Sequence, residues 1–200
     1  IYFVDQGSAK TLHDGTYAVE HGSYTHLWQT DTGQANGDPY MQTRTAMENY
    51  VRVLEDNGCS LADNCLRTWL FVHDIDNNYP GVVRARNDVF GQYGLTNDTH
   101  FIASTGINGS VGRQGVLLSM DTYAVRGLAD GQVRYLFAAS HMNRTSDYGV
   151  SFERGTAIEY GDRVHALISG TASIDNRGQI VYPGDIIKQT GRMWENISAL

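Results

Sequence analysis

The chain has 200 residues and a formal net charge of −7, and 41% of its residues are hydrophobic. This length allows one large domain or two small ones with a buried core, and no apolar run approaches the ~20 residues that cross a bilayer. The acidic balance argues against nucleic acid, because phosphate binding needs clustered Lys and Arg. We therefore expect a soluble protein with neither a membrane nor a nucleic-acid partner.

The first part of the sequence alternates strand and helix patterns. Residues 24–31 predict a strand, and residues 41–54 place apolar side chains at steps of three and four, which indicates an amphipathic helix. The next predicted elements are a buried strand at 65–75, a helix at 81–94, and strands at 99–107 and 115–125. Together these elements predict an α/β module over residues 1–128.

The second part opens with strand patterns again. Strands are predicted at 133–140, 155–160 and 163–174, and a helix at 185–200. At one constant offset, Gln42, Thr43, Glu48 and Asn49 match Gln189, Thr190, Glu195 and Asn196. This match predicts a tandem repeat. Residues 129–200 would then be the N-terminal half of a second module, whose remainder is missing from this sequence or is supplied by another subunit.

The two cysteines, Cys59 and Cys65, have three possible roles: a small disulfide, part of a metal site, or buried thiols. We favour buried thiols in a reducing compartment, because no other Cys completes a zinc site. The histidines are scattered along the sequence, and none forms a metal-ligating cluster. We therefore predict neither a metal nor a cofactor.

Residues 167–200 carry a dense motif. A predicted strand ends at Ser169-Gly170, and the motif continues with Asp175, Gly178, Ile180, Val181, Gly184, Asp185, Ile186, Gln189, Thr190 and Asn196. This pattern resembles the N-terminal half of the RidA/YjgF family, also labelled endoribonuclease L-PSP. The tandem arrangement, with the stretches at 66–79 and 104–107, is similar to chorismatases, which carry two RidA-like modules in one chain.

The resemblance implies a fold and an assembly. It implies tandem RidA-like (chorismate-mutase-like) α/β modules, in which helices pack on one face of a mixed β-sheet. It also implies a cytoplasmic homo-oligomer, most simply a trimer, with clefts between its modules and between its subunits. No cofactor is implied, and the implied partner is a small carboxylate-bearing molecule.

The resemblance also implies candidate catalytic residues. In RidA-like deaminases an Arg grips the substrate carboxylate and a Glu positions a water that attacks an imine carbon. Thr99 stands at the Arg position and Asp121 at the Glu position. Glu153 and Arg154 precede a strand of the second module, where Arg154 could supply the missing cation and Glu153 could carry a proton. The alternatives are a solvent-facing Asp121 and a surface ion pair of Glu153 with Arg154.

Three further residues are candidates for substrate binding. Arg86 falls on the apolar stripe of a predicted helix, which indicates a buried interface or a ligand contact. Thr105 and Gly106 end a strand and enter the Gly-rich loop 106–115, whose backbone N–H groups could bind an anion. That loop is otherwise an ordinary hairpin connection.

These observations lead to several functional hypotheses. The first is a RidA-like hydrolase of the enamine or imine deaminase type that acts on a small carboxylate substrate. The alternatives are a chorismatase-like cleavage of chorismate and a non-catalytic trimer that binds a small acid. The ribonuclease that the old family label suggests is disfavoured by the acidic charge.

Overall fold

The computed structural model describes residues 8–109 and 112–200. Its strands are β1 (Lys10–His13), β2 (Thr16–His21), β3 (Tyr24–Gln29), β4 (Cys65–Val72), β5 (Ala103–Asn108), β6 (Leu118–Arg126), β7 (Val133–Leu136), β8 (Gly155–Glu159) and β9 (Val164–Ile168). Its helices are α1 (Pro39–Asp56), α2 (Leu61–Asn64), α3 (Ile75–Gln92) and α4 (Ile186–Ser198). None of the helices within these ranges is long and apolar enough to span a bilayer.

Six strands form one mixed sheet in the order β1-β2-β3-β6-β4-β5. Strands β4 and β5 are parallel, and the other neighbouring pairs are antiparallel. Alternating apolar residues of the central strands, such as Leu70 and Met120, point to one face and join Leu54 and Phe90 of α1 and α3 in the main core. The predicted mixed sheet with helices on one face is therefore confirmed.

A second, three-stranded sheet has the order β7-β8-β9 and attaches to the free edge of β5. Ala103 forms a parallel bridge with Glu153, and the backbone N–H of Glu153 donates to the carbonyl of Ile102 at 3.1 Å. Tyr123 and Ile158 belong to one hydrophobic cluster that packs the two sheets together. The second sheet thus shares both backbone and side-chain contacts with the first.

Several predicted boundaries shift in the structure. Helix α3 begins at Ile75 rather than at residue 81, and Pro80 lies inside it. A Pro-Gly pair usually marks a turn, but Gly81 is needed for close packing, since a Cβ there would lie 3.1 Å from Cβ of Pro39 in α1. The Gly-rich loop 106–115 lies partly outside the described residues. Both cysteines are free and buried, as predicted.

Helices α1 and α4 share the same local structure at matching positions. The carboxylates of Asp38 and Asp185 cap the two helices by accepting a backbone N–H three residues later, at 2.8 and 3.1 Å. The hydroxyls of Thr43 and Thr190 donate to the carbonyl four residues earlier, at 2.7 and 2.8 Å. The two helices thus begin with equivalent local contacts, and the tandem repeat stays a prediction.

The matched asparagines, in contrast, have different surroundings. Asn196 is 0% exposed, and its Nδ2 donates to the carbonyls of Ala172 and Ile174, both at 3.0 Å. Asn49 is half-buried, and its Oδ1 accepts a hydrogen bond from Arg52 on the same helix. Of the two matched residues, Asn196 alone therefore forms hydrogen bonds to the backbone of a neighbouring segment.

The two asparagines provide a matched pair of variants. We expect Asn196→Ala to lower the free energy of unfolding by about 2 kcal/mol, because it removes two hydrogen bonds that a fully buried amide donates. Asn49→Ala removes only an exposed contact and should cost under about 0.5 kcal/mol. Urea unfolding measures both values, and equal losses would contradict this assignment.

His26 lies in an aromatic cluster where the two sheets meet. Its Nδ1 is 2.8 Å from the hydroxyl of Tyr123, and its ring stacks on Trp28 and Tyr123. Burial, with smaller contributions from His21, His165 and Arg163, lowers the pKa of His26 from 6.5 to about 4. The folded protein therefore holds His26 neutral at pH values where the unfolded chain protonates it.

This shift predicts a pH dependence of stability. Because the unfolded chain binds the proton more readily, the free energy of unfolding should fall as the pH drops from 6.5 towards 4, and the His26 effect should level off below that. His26→Phe, which cannot be protonated, should reduce this slope. Urea unfolding between pH 4 and pH 7 tests the prediction, and parallel profiles for the two proteins would refute it.

Candidate functional site

A cleft lies where α3 and the edge of β5 meet the second sheet, and we call it the junction cleft. Its inner pocket has a volume of about 260 Å³ and is lined by Arg86, Thr105 and Gly106, among others. Its outer pocket has a volume of about 530 Å³ and is lined by Arg154 and the loop that contains Gly178. Phe152, Gly170 and Ala172 line both pockets.

Arg86 is the dominant feature of the inner pocket. Its side chain is 1% exposed, and its Nε, Nη1 and Nη2 have no hydrogen-bond partner in the described part of the chain. Burial lowers the pKa of the Arg86 guanidinium, and the nearby Tyr79 hydroxyl opposes this change. An uncompensated buried charge costs several kcal/mol. Such a cost indicates that the group serves a purpose other than stability.

Arg154 occupies the outer pocket. It is 4% exposed, and its Nη2 donates to the carbonyl of Asn143 at 3.0 Å, whereas its Nε has no partner among the described residues. Its guanidinium carbon lies 5.6 Å from the ring centroid of Phe152, and that of Arg86 lies 6.0 Å from the same centroid. Two buried cations therefore share one aromatic ring.

A third buried arginine supports the back of the cleft. Arg67 of β4 is 5% exposed and donates to the hydroxyls of Ser169 and Thr105. Its guanidinium also lies 5.0 Å above the Trp69 ring. Neither Arg86 nor Arg154 forms an ion pair with an acidic residue in residues 8–109 or 112–200. The region is therefore electropositive within an acidic protein.

Thr105 and Gly106 form the wall of the inner pocket. The Thr105 hydroxyl accepts hydrogen bonds from Arg67 and from the backbone N–H of Gly170 at 2.9 Å. A Cβ at Gly106 would lie 3.0 Å from the Tyr79 ring, so the absence of a side chain lets the strand and helix approach. All four predicted substrate-binding residues thus line the junction cleft, although their role in binding stays a prediction.

Glu153, a predicted catalytic residue, faces a different cleft. It lines a small cleft of about 180 Å³ together with Thr99, His100 and Arg154. Its Oε1 accepts the backbone N–H of Phe101 at 2.9 Å, which fastens the start of β5. Thr99, Glu153 and Arg154 thus line one cleft. The Glu153 carboxylate is already engaged by the backbone, and its catalytic role stays a prediction.

Asp121, the other predicted catalytic residue, lies on the opposite face of the sheet from α1 and α3. It pairs across the strands with Trp69 and lines a cleft with Trp28 and Phe71. Its Oδ1 accepts the backbone N–H of Asp31 at 3.0 Å. Asp121 does not line the junction cleft, and its catalytic role stays a prediction.

The sequence analysis did not predict the aromatic and acidic residues of the junction cleft. Tyr79, Tyr148 and Phe152 supply its aromatic surfaces, and Asp147 lines the outer pocket. Phe152 precedes the predicted Glu153 and Arg154 in the sequence, so strand alternation could have placed it on the same side as Arg154. The other three lie in a loop or early in α3, where no periodic pattern indicates them.

No protein-family model matches the sequence, and no curated protein matches it. Among solved structures, the chain is similar to a chorismatase, with 20% sequence identity and a TM-score of 0.71 over 95% of this chain and 57% of that chain. A YjgF/YER057c/UK114 family member from Mycobacterium tuberculosis is 24% identical over 54% of this chain and 82% of that chain, with a TM-score of 0.42. The YjgF gene product of E. coli is 21% identical over 55% and 85%, with a TM-score of 0.44.

The chain thus spans 57% of the length of the chorismatase that it resembles. At 20% identity this likeness concerns the fold. The chain shares with that chorismatase a mixed α/β fold with helices on one face of a mixed sheet, and the fold that the sequence resemblance predicts is confirmed.

Proposed function

We propose that the junction cleft binds a small molecule through its carboxylate, and that Arg86 is the main contact. The observation that carries this proposal is the buried guanidinium of Arg86, which has three unpartnered nitrogen atoms in the described structure. A carboxylate would accept two parallel N–H bonds from such a fork and would neutralise its charge. A neutral ligand would not offset the desolvation free energy of the buried guanidinium.

The second cation favours a ligand with two carboxylates. The guanidinium carbons of Arg86 and Arg154 both lie within 6.0 Å of the Phe152 centroid. A planar dicarboxylate could therefore contact both pockets and the ring between them. The unpartnered Nε of Arg154 offers the second donor.

Two reactions are compatible with such a substrate. In a RidA-like hydrolysis, water would attack an enamine or imine and release ammonia and a keto acid. In a chorismatase-like reaction, water would cleave the enolpyruvyl ether of chorismate and release pyruvate. The fold and the paired arginines support the second reaction, because chorismate carries two carboxylates, whereas Asp121 and Glu153 lie outside the junction cleft.

The organisation of the protein is also a proposal. We propose that residues 1–128 form one RidA-like module and that residues 129–200 correspond to the first half of another, on the basis of the equivalent caps of α1 and α4. A cytoplasmic homotrimer is proposed from the sequence resemblance alone. Pyruvate and ammonia assays with chorismate and with freshly generated 2-aminoacrylate would distinguish the two reactions from a purely binding role.

Arg86→Met provides the decisive variant. We expect the affinity for chorismate, measured by calorimetry, to fall by about 2 kcal/mol or more, because the carboxylate loses a buried charged partner. We expect the free energy of unfolding to rise by about 1–4 kcal/mol, because the substitution removes an uncompensated buried charge. A structural arginine would behave in the opposite way, losing stability while leaving ligand affinity unchanged.

Arg154→Met and Arg134→Met complete the series. Arg154→Met should also weaken binding, whereas Arg134 is an exposed residue paired with Glu159 at 2.9 Å and serves as the control. If chorismate, succinate and pyruvate bind neither the wild type nor the variants, the proposed function is wrong.

A further inference from the structure

Residues 143–152 form a segment that lies beside the inner pocket, and we call it the strap. It contains a 3-10 turn at Thr145–Tyr148 and a left-handed Gly149 with φ of 78°. The strap ends at Phe152, whose ring lies next to the guanidinium of Arg86. The strap is therefore the part of the cleft wall that covers this cation from the side of the second sheet.

One surface residue of α3 holds the strap. Nδ2 of Asn87 donates to the carbonyl of Gly149 at 3.3 Å, and Oδ1 of Asn87 accepts the hydroxyl of Ser151 at 2.5 Å. Asn87 is exposed and directly follows Arg86 in the helix. Its contact with Gly149 is exposed and competes with water, whereas its contact with the buried Ser151 is partly shielded.

The strap is also closed upon itself. The hydroxyl of Thr145 donates to the carbonyl of Phe152 at 2.6 Å. At the base, Nη2 of Arg154 donates to the carbonyl and to Oδ1 of Asn143, at 3.0 and 3.3 Å. These bonds join the two ends of the strap to each other, so that it can move away from α3 as one compact unit without unfolding.

The nitrogen atoms of Arg86 are shielded from solvent as well as unpartnered. An anion reaches them only if part of the pocket wall moves. Helix α3 packs into the main core through Val82, Val89 and Phe90, and β5 is paired with β4 along its whole length. The strap, in contrast, is held to α3 by the side chain of Asn87. We propose that the strap is a gate over Arg86 and that Asn87 is the positioning residue that holds it closed.

This inference rests on the proposed function only for the nature of the ligand, and its test uses no ligand. Phenylglyoxal modifies accessible guanidinium groups, and peptide mass spectrometry reports the modification rate of each arginine in the intact chain. We expect Asn87→Ala to accelerate modification of Arg86 about fivefold or more, the factor that one net hydrogen bond contributes to an opening equilibrium. Ser151→Ala, which removes one of the two contacts, should give a smaller acceleration.

Two controls separate gating from general loosening. Arg134, with a side chain 58% exposed, should react at the same rate in all proteins. Asn77→Ala removes a contact with Asp74 near the start of the same helix and should leave the Arg86 rate unchanged. The inference is overturned if Asn87→Ala does not change the Arg86 rate, or if Asn77→Ala changes it equally. If chorismate does not bind but Asn87→Ala still accelerates the modification of Arg86, the proposed ligand is wrong and the gate is supported.

Discussion

Strand β5 ends the six-stranded sheet, and its outer edge would expose unpaired backbone groups if nothing covered it. The second sheet begins there, with the bridge between Ala103 and Glu153 and the hydrogen bond from Gly170 to Thr105. Backbone pairing stops after these contacts, and the two sheets separate. The junction cleft is the space that this separation leaves. Its location therefore follows from where the pairing ends.

The cleft contains buried positive charges, whereas the protein as a whole is acidic. The chain carries a net charge of −7, yet Arg86 and Arg154 form no ion pair with any carboxylate in the described part of the chain. Folding buries these cations at a free-energy cost that the core of α1, α3 and the sheet must offset. We infer that the carboxylate of a bound ligand neutralises the charge of Arg86. The strap would shield that pair from water and thereby strengthen it.

Elements and site residues could be predicted where the spacing of apolar residues or a motif indicates which side chains are buried. The order of the long elements from β3 onward was predictable, whereas β1, β2 and the short α2 were not predicted. Arg86 was singled out because a charge on an apolar helical stripe is unusual. Arg154, Thr105 and Gly106 were selected because they lie at the ends of predicted strands, and in the structure all three line the junction cleft. The helix boundary at Pro80 was misplaced, because close packing of Gly81 against α1 outweighs the local turn signal. Tyr79 and Tyr148 were missed, since only the tertiary packing of α3 and the strap against β5 places them there.

The most direct measurement is the Nε–H resonance of Arg86 in 15N-arginine-labelled protein, assigned with Arg86→Lys, during titration with chorismate, succinate or pyruvate. The account predicts that at least one of these carboxylates shifts the Arg86 resonance along the same isotherm that calorimetry measures. The Arg134 resonance should remain unchanged. A carboxylate that binds without moving the Arg86 resonance, or the absence of binding by all three, would contradict the claim that this buried cation is completed by a ligand.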